Sequence, residues 1–181
     1  MMARLTRLRR GEKGASAVEF ALIAPLFFAL MFGALDLGAT MFRQVRLSAA
    51  LDGVMRDVRI AGTAGGVTNP TTQDVANAVC DRVAMIPDCR NTIVVETTVI
   101  RDASDFPTGA SPCIDRANGN LRPAVASVPG QANETVLVRV CAVANQLFTP
   151  TGGFMNGIGI SLEDANGDQI LVATTAYVKE S

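Results

Sequence analysis

Cys80, Cys89, Cys113 and Cys141 are the residues in this 181-residue chain best suited to covalent chemistry. An even cysteine count in a small exported domain reads as disulfides, and four cysteines allow three pairings. The favoured set is Cys80–Cys89, closing the turn after a short helix, with Cys113–Cys141 pinning a long loop to a strand. A four-thiolate zinc site would show closely spaced cysteine knuckles, which are absent. The chain has no histidine. That excludes Ser-His-Asp and Cys-His catalysis and every histidine-containing zinc site. No pair of carboxylates stands out as acid and base, which leaves a Ser-Lys arrangement as the remaining nucleophilic possibility. The stretch from Glu163 to Asp168 faintly resembles a calcium loop but lacks the full ligand set and closing Glu, so Asn166-Gly167 reads as a hairpin turn. Gly65-Gly66 and Gly152-Gly153 are not phosphate loops, because no Lys-Ser/Thr follows either. No catalytic residue, metal or cofactor is expected. With no tryptophan and one tyrosine, there is little on which to stack nucleic-acid bases.

Two further carboxylates, Glu19 and Asp36, flank sixteen uncharged residues. The surrounding stretch, residues 15–42, is apolar around the whole helical wheel, so no buried face can be assigned, which argues for lipid rather than a soluble core. A bilayer core of ~30 Å needs roughly 20 mostly apolar residues, so the stretch is long enough to span. Carboxylates are costly in hydrocarbon and face a partner or an interface. Asp36 is therefore expected in the outer headgroup region. The chain has 16 Lys/Arg and 17 Asp/Glu, but Arg4, Arg7, Arg9, Arg10 and Lys13 crowd residues 1–14 against Glu12 alone, leaving a body of net −5. Basic residues just before the span keep the N-terminus cytoplasmic and put the bulk of the chain outside. A secretory signal peptide would have a shorter apolar run with no Glu19 near its start. A nucleic-acid partner is not expected, because a binder needs its basic residues on the folded surface.

The run Arg9-Arg10-Gly11-Glu12-Lys13-Gly14-Ala15-Ser16-Ala17-Val18-Glu19-Phe20 resembles the start of TadE-like proteins, pseudopilins of the tight-adherence (Flp pilus) machinery. Pro25 and Gly33 also look like the family. The resemblance covers roughly the first 45 residues, and TadF- or TadG-like relatives share this opening. It implies a basic leader of residues 1–14, cut after Gly14 by a prepilin peptidase to make Ala15 the new N-terminus. Glu19 would then be mature position five, followed by the aromatic Phe20. The implied role for Glu19 is to set register between packed subunits. A carboxylate there can pair with a neighbour's new α-ammonium, and a low-dielectric layer strengthens that pairing and penalises an unpaired group. The implied partners are the peptidase, other pilin-like subunits, the pilus assembly platform and the bacterial inner membrane. The implied function is a minor pilin-like subunit for assembly or initiation of the pilus. A membrane-anchored periplasmic binding module without a filament role is the alternative.

The elements that must carry these residues follow from periodicity. Leu47, Leu51, Val54, Met55 and Val58 repeat at helical spacing while Arg43, Arg46, Arg56 and Asp57 fall largely elsewhere on the wheel, so residues 43–62 read as an amphipathic continuation of the span. A helix over 16–60 would be roughly 70 Å long, with Gly62, Gly65 and Gly66 ending it. Gly33, Ala34 and Gly38 are small enough to admit a second helix. Thr71 and Asp74 form a capping-box pattern, and Val75, Val79, Val83 and Ile86 make one face of a helix ending before Pro87. Residues 91–100 alternate, with Ile93, Val95, Thr97 and Val99 on one face, and read as a strand; residues 134–143 and 169–178 give two more. Residues 101–133 are rich in Pro and Gly and read as a long excursion, and the Gly-rich 148–160 as a short apolar helix or a flap. The expected fold is α+β: a long pilin-like helix, membrane-spanning then amphipathic, packed on a three-stranded antiparallel sheet within an extracytoplasmic domain of residues 63–181.

Overall fold

The computed structural model describes residues 14–106, 114–115, 122–123, 130–145 and 168–178. The first described element is one uninterrupted helix, α1 (Ala15–Ala61), of 47 residues. At 1.5 Å per residue it is ~70 Å long. Pro25 lies inside it and Gly62 closes it in the left-handed conformation at φ 63°, its N–H donating to the Val58 carbonyl. Glycine reaches that conformation without a Cβ penalty, which is why the helix stops there.

Beyond Gly62 the chain forms a small hairpin, β1 (Thr63–Ala64) with β2 (Val67–Thr68), turning through Gly65 and Gly66 at φ 58° and 86°. Two successive positive φ values are what a tight primed turn demands, and Gly-Gly supplies them. Helix α2 (Thr72–Arg82) opens on a capping box in which Thr71 Oγ1 accepts from the Asp74 N–H and the Asp74 carboxylate accepts from the Thr71 N–H. These bonds hold the Asp74 carboxyl below the usual carboxylate range, the Thr71 hydroxyl donor contributing most. The helix ends at Arg82, earlier than Pro87. Val83 is extended and Asp88 turns left-handed at φ 51°, while Val83 and Ile86 stay buried. The early end lets the chain double back, bringing the Cα atoms of Cys80 and Cys89 to 5.7 Å in a disulfide. A helix continuing to residue 86 would carry them apart.

A single turn, α3 (Cys89–Thr92), leads into β3 (Ile93–Ile100). After it come a 3₁₀ turn at Ala103–Asp105 and a two-residue pairing of β4 (Ile114–Asp115) with β5 (Arg122–Pro123). The strands β6 (Thr135–Ala144) and β7 (Gln169–Val178) complete a three-stranded antiparallel sheet of order β3-β6-β7. This is the α+β arrangement of a long helix on a small sheet. Most of the 101–133 excursion and all of 148–160 and 163–167 lie outside the described residues.

The sheet is buried on the face toward the helices and over part of β3 and β6 on the other, where β7 exposes Ile170, Thr174 and Val178. One face presents Ile93, Val95, Val136, Val138, Val140, Ala142, Leu171 and Ala173 to the helices, where Leu47, Leu51, Val54 and Met55 of α1 meet Val75 and Val79 of α2. Leu47, Leu51 and Val54 are essentially inaccessible. Each contributes about 1.5–3 kcal/mol of hydrophobic stabilisation. On the other face Val94, Cys141 and Val143 form a second small cluster. Beside it Arg139 and Glu96, opposed in the β3–β6 register, approach to 3.8 Å as a buried ion pair. Among the described residues strand β7 pairs on one edge only. Gln44 and Arg59 of α1 donate to the Val172 and Ala176 carbonyls, four residues apart and so on the same edge. The helix thus caps a strand edge that would otherwise invite another chain.

Candidate functional site: the first helix and its seat on the sheet

None of residues 16–32 is buried, and among the described residues burial begins at Gly33. Along this bare part Phe20, Leu22, Ile23 and Phe27 are all more than half exposed. The helix is long and apolar enough to cross a membrane, and its unshielded side chains fit that use. Glu19 and Phe20 sit exposed on its first turns. Gly14 is the residue immediately before the helix, and a Cβ built on it meets nothing within 4 Å. Gly14 and Ala15 therefore lie at the end of the helix remote from the body, roughly 50 Å along its axis from Leu47 in the core.

The cysteines lie on the folded body. Cys80 and Cys89 tie α2 to α3. Cys141, in the middle of β6, is also disulfide-bonded. Cys113 lies outside the described residues. No group among the described residues brings three acidic or cysteine side chains together as a metal cage.

Where the rod first meets the sheet, ahead of the Leu47 stripe, the contact is polar. Asp36 and Arg43 are 3% and 2% exposed, buried in protein. Asp36 is enclosed by protein on the helix face that meets the body. Arg43 lies on the packed stripe rather than the solvent side, which corrects the expectation from the helical wheel. The geometric reason is simple: 36, 40, 43, 47, 51 and 54 recur at helical spacing, so the stripe that packs Leu47 runs back through Arg43 to Asp36. Arg43 Nη1 donates to the Asn145 carbonyl at 2.8 Å. Thr40 Oγ1 lies 2.8 Å from both the Asp36 carbonyl and Gln169 Oε1, at the start of β7. A hydroxyl has one proton, so it serves one of these two acceptors at a time. Among the described residues Arg43 Nε and Gln169 Nε2 are buried donors with no hydrogen-bond partner. Turning the Gln169 amide over removes the conflict, with Nε2 donating to Thr40 Oγ1, Thr40 donating to the Asp36 carbonyl, and Oε1 released as an acceptor.

Thr40, Gln44 and Gln169 were not singled out from the sequence. The signal was present: Thr40 lies seven residues before Leu47, and Gln169 shares strand parity with the inward-facing Leu171 and Ala173. The base of the 101–134 excursion is a second polar knot. Arg101 donates through Nε and Nη2 to Glu134 Oε1 at 3.1 and 2.7 Å, and Glu134 Oε2 accepts the Gln131 N–H. Asp105 accepts the N–H groups of Arg101 and Asp102. The Gln131 N–H and the Arg101 guanidinium hold the Glu134 carboxyl below its usual range. The backbone donors of Asp102 and Arg101 do the same for Asp105.

Residues 14–56 match the family model described as TadE-like protein. The match begins at Gly14 and runs up α1 into the part that packs on the sheet. No curated protein and no solved structure shows significant similarity to this chain.

Proposed function

We propose, on the premise that residues 14–56 are a TadE-like segment, that the chain is a minor pilin-like subunit for assembly or initiation of a tight-adherence, Flp-type pilus. The family match supports association with such a system, and the apolar helix supports anchoring in a membrane. The observation that carries the reading is the rod itself: an unbroken helix that starts one residue after Gly14, is bare over residues 16–32, and then packs on a folded body. A helix whose residues 16–32 are not buried among the described residues is built to be covered by lipid in one state and by other helices in another.

In this reading a prepilin peptidase cuts between Gly14 and Ala15 on the cytoplasmic side. The apolar helix stays attached, because the cut precedes it. The new α-ammonium of Ala15 pairs with Glu19 of an adjacent subunit, and Phe20 packs beside it. The chain crosses the bacterial inner membrane once, N-terminus in the cytoplasm, with the sheet domain outside. Other pilin-like subunits and the assembly platform are its partners. Its work is assembly rather than catalysis.

The test is mass spectrometry of the mature N-terminus, with the full chain expressed alongside the cognate peptidase and in its absence. The expected product begins at Ala15. Gly14→Ala blocks that cleavage and pilus formation while leaving the protein in the membrane fraction. A mature chain still starting near residue 1, with pili unaffected by Gly14→Ala, leaves the alternative: a membrane-anchored binding module without a filament role. An N-terminus beyond residue 36 overturns both.

A further inference from the structure

The turns of α1 that seat on the sheet have a second, opposite side. Asp36, Thr40, Arg43 and Leu47 face the body, while Leu37, Met41, Phe42, Val45 and Arg46 occupy the other half of the wheel. The four apolar members of that set are 43–64% exposed. Arg46 is exposed as well, and its guanidinium sits 5.5 Å from the centre of the Phe42 ring. Among the described residues no carboxylate lies within ion-pair distance of Arg46.

Length decides what this side meets. From Ser16 to Val45 the exposed apolar surface of the helix runs about 44 Å. A bilayer's hydrocarbon accounts for ~30 Å of that, and its full thickness with headgroups is ~40–45 Å. With the start of the helix at the outer edge of the near headgroup layer, residues 37–40 lie at the far end of the hydrocarbon and residues 41–46 in the far headgroup layer. A long cationic side chain above exposed apolar residues is the pattern that sits at a membrane surface, the head among phosphates and the stem on acyl chains.

We propose that residues 37–46 form a phospholipid-contact collar, with Arg46 engaging lipid phosphate in the outer leaflet and Met41, Phe42 and Val45 inserted beneath it. The collar fixes how far the folded body stands from the bilayer. On the same turns, Thr40 and Arg43 bind the body to the rod, so the depth of the helix and the height of the sheet are set together. This inference rests on α1 spanning the membrane.

The chain has no tryptophan, so Phe42→Trp in the full chain introduces one emission reporter. The protein is reconstituted in phosphatidylcholine vesicles with or without phosphatidylglycerol, the lipids brominated high or low on the acyl chain. The reporter at position 42 is expected to be quenched more by shallow than by deep bromines. Adding Arg46→Gln is expected to lower its preference for brominated phosphatidylglycerol roughly fivefold. A reporter that bromolipids do not quench and iodide reaches shows the collar in water and overturns the proposal. A reporter shielded from both, increasingly so at higher protein-to-lipid ratio, shows a second copy covering it and also overturns the proposal. Phe28→Trp in parallel tests the premise: quenching there by deep bromines shows that the span holds even if the collar fails, and its absence removes the span itself.

Discussion

Arg43 offers the sharpest test of the seat between rod and sheet. Its guanidinium is buried, makes one hydrogen bond to the Asn145 carbonyl, and carries a buried Nε–H without a partner among the described residues. The hydrogen bond from a charged donor is worth about 1.5–3 kcal/mol, and an unsatisfied buried donor costs about 1–3 kcal/mol. These terms nearly cancel, so the charge as such contributes little. What remains is the apolar stem, two methylenes beyond Cβ, at about 0.8 kcal/mol each. Arg43→Met keeps that volume and is expected to change stability by less than ~1 kcal/mol. Arg43→Ala loses it and is expected to cost ~2 kcal/mol. The assay is guanidinium unfolding of the full chain in detergent micelles, followed by emission of Tyr177, the single tyrosine in a chain without tryptophan. Tyr177 packs against the main core, and burial raises its pKa, so it reports on the sheet. If Arg43→Met costs as much as Arg43→Ala, the guanidinium charge is indispensable and the cancellation argued here is wrong.

Two further expectations use the same assay. Cys80 and Cys89 are nine residues apart in sequence, and closing so short a loop stabilises by about 2.5–3 kcal/mol in the chain-entropy account. The double variant Cys80→Ser/Cys89→Ser should lower the unfolding free energy by that amount, and an unchanged midpoint would show that the cross-link is incidental. Asp74, Asp105 and Glu134 all have folded pKa values below their ordinary ones. Such groups contribute stability that is complete above the unfolded pKa and lost as pH falls through the folded one. The unfolding midpoint should therefore be flat near neutrality and decline below pH ~4. The decline should be shallower in Glu134→Gln, and a midpoint that rises on acidification would contradict the assignment.

Much of the architecture was legible because it rests on local rules. The strand read at 169–178 is β7 with the same bounds. The capping box at Thr71 and Asp74 holds the start of α2 as its spacing requires. The core stripe of Leu47, Leu51, Val54 and Met55 is the packed face of α1. The hairpin at 63–68 was also written in the sequence, as Gly-Gly between short β-formers, but was read only as a helix stop.

From the sequence alone came a long rod with a basic prefix, an apolar first half and an amphipathic second half, because helical period, charge bias and glycine stops act over a few neighbouring residues. The end of α2 at Arg82, the enclosure of Asp36 and Arg43, and the use of Gln44 and Arg59 to cap the edge of β7 were decided only in three dimensions. Each depends on a partner far away along the chain: Gln169 is 129 residues from Thr40, and Asn145 is 102 from Arg43. A polar residue on a helix has no inside or outside until the surface that covers it is known, and here that surface is assembled from strands that arrive last.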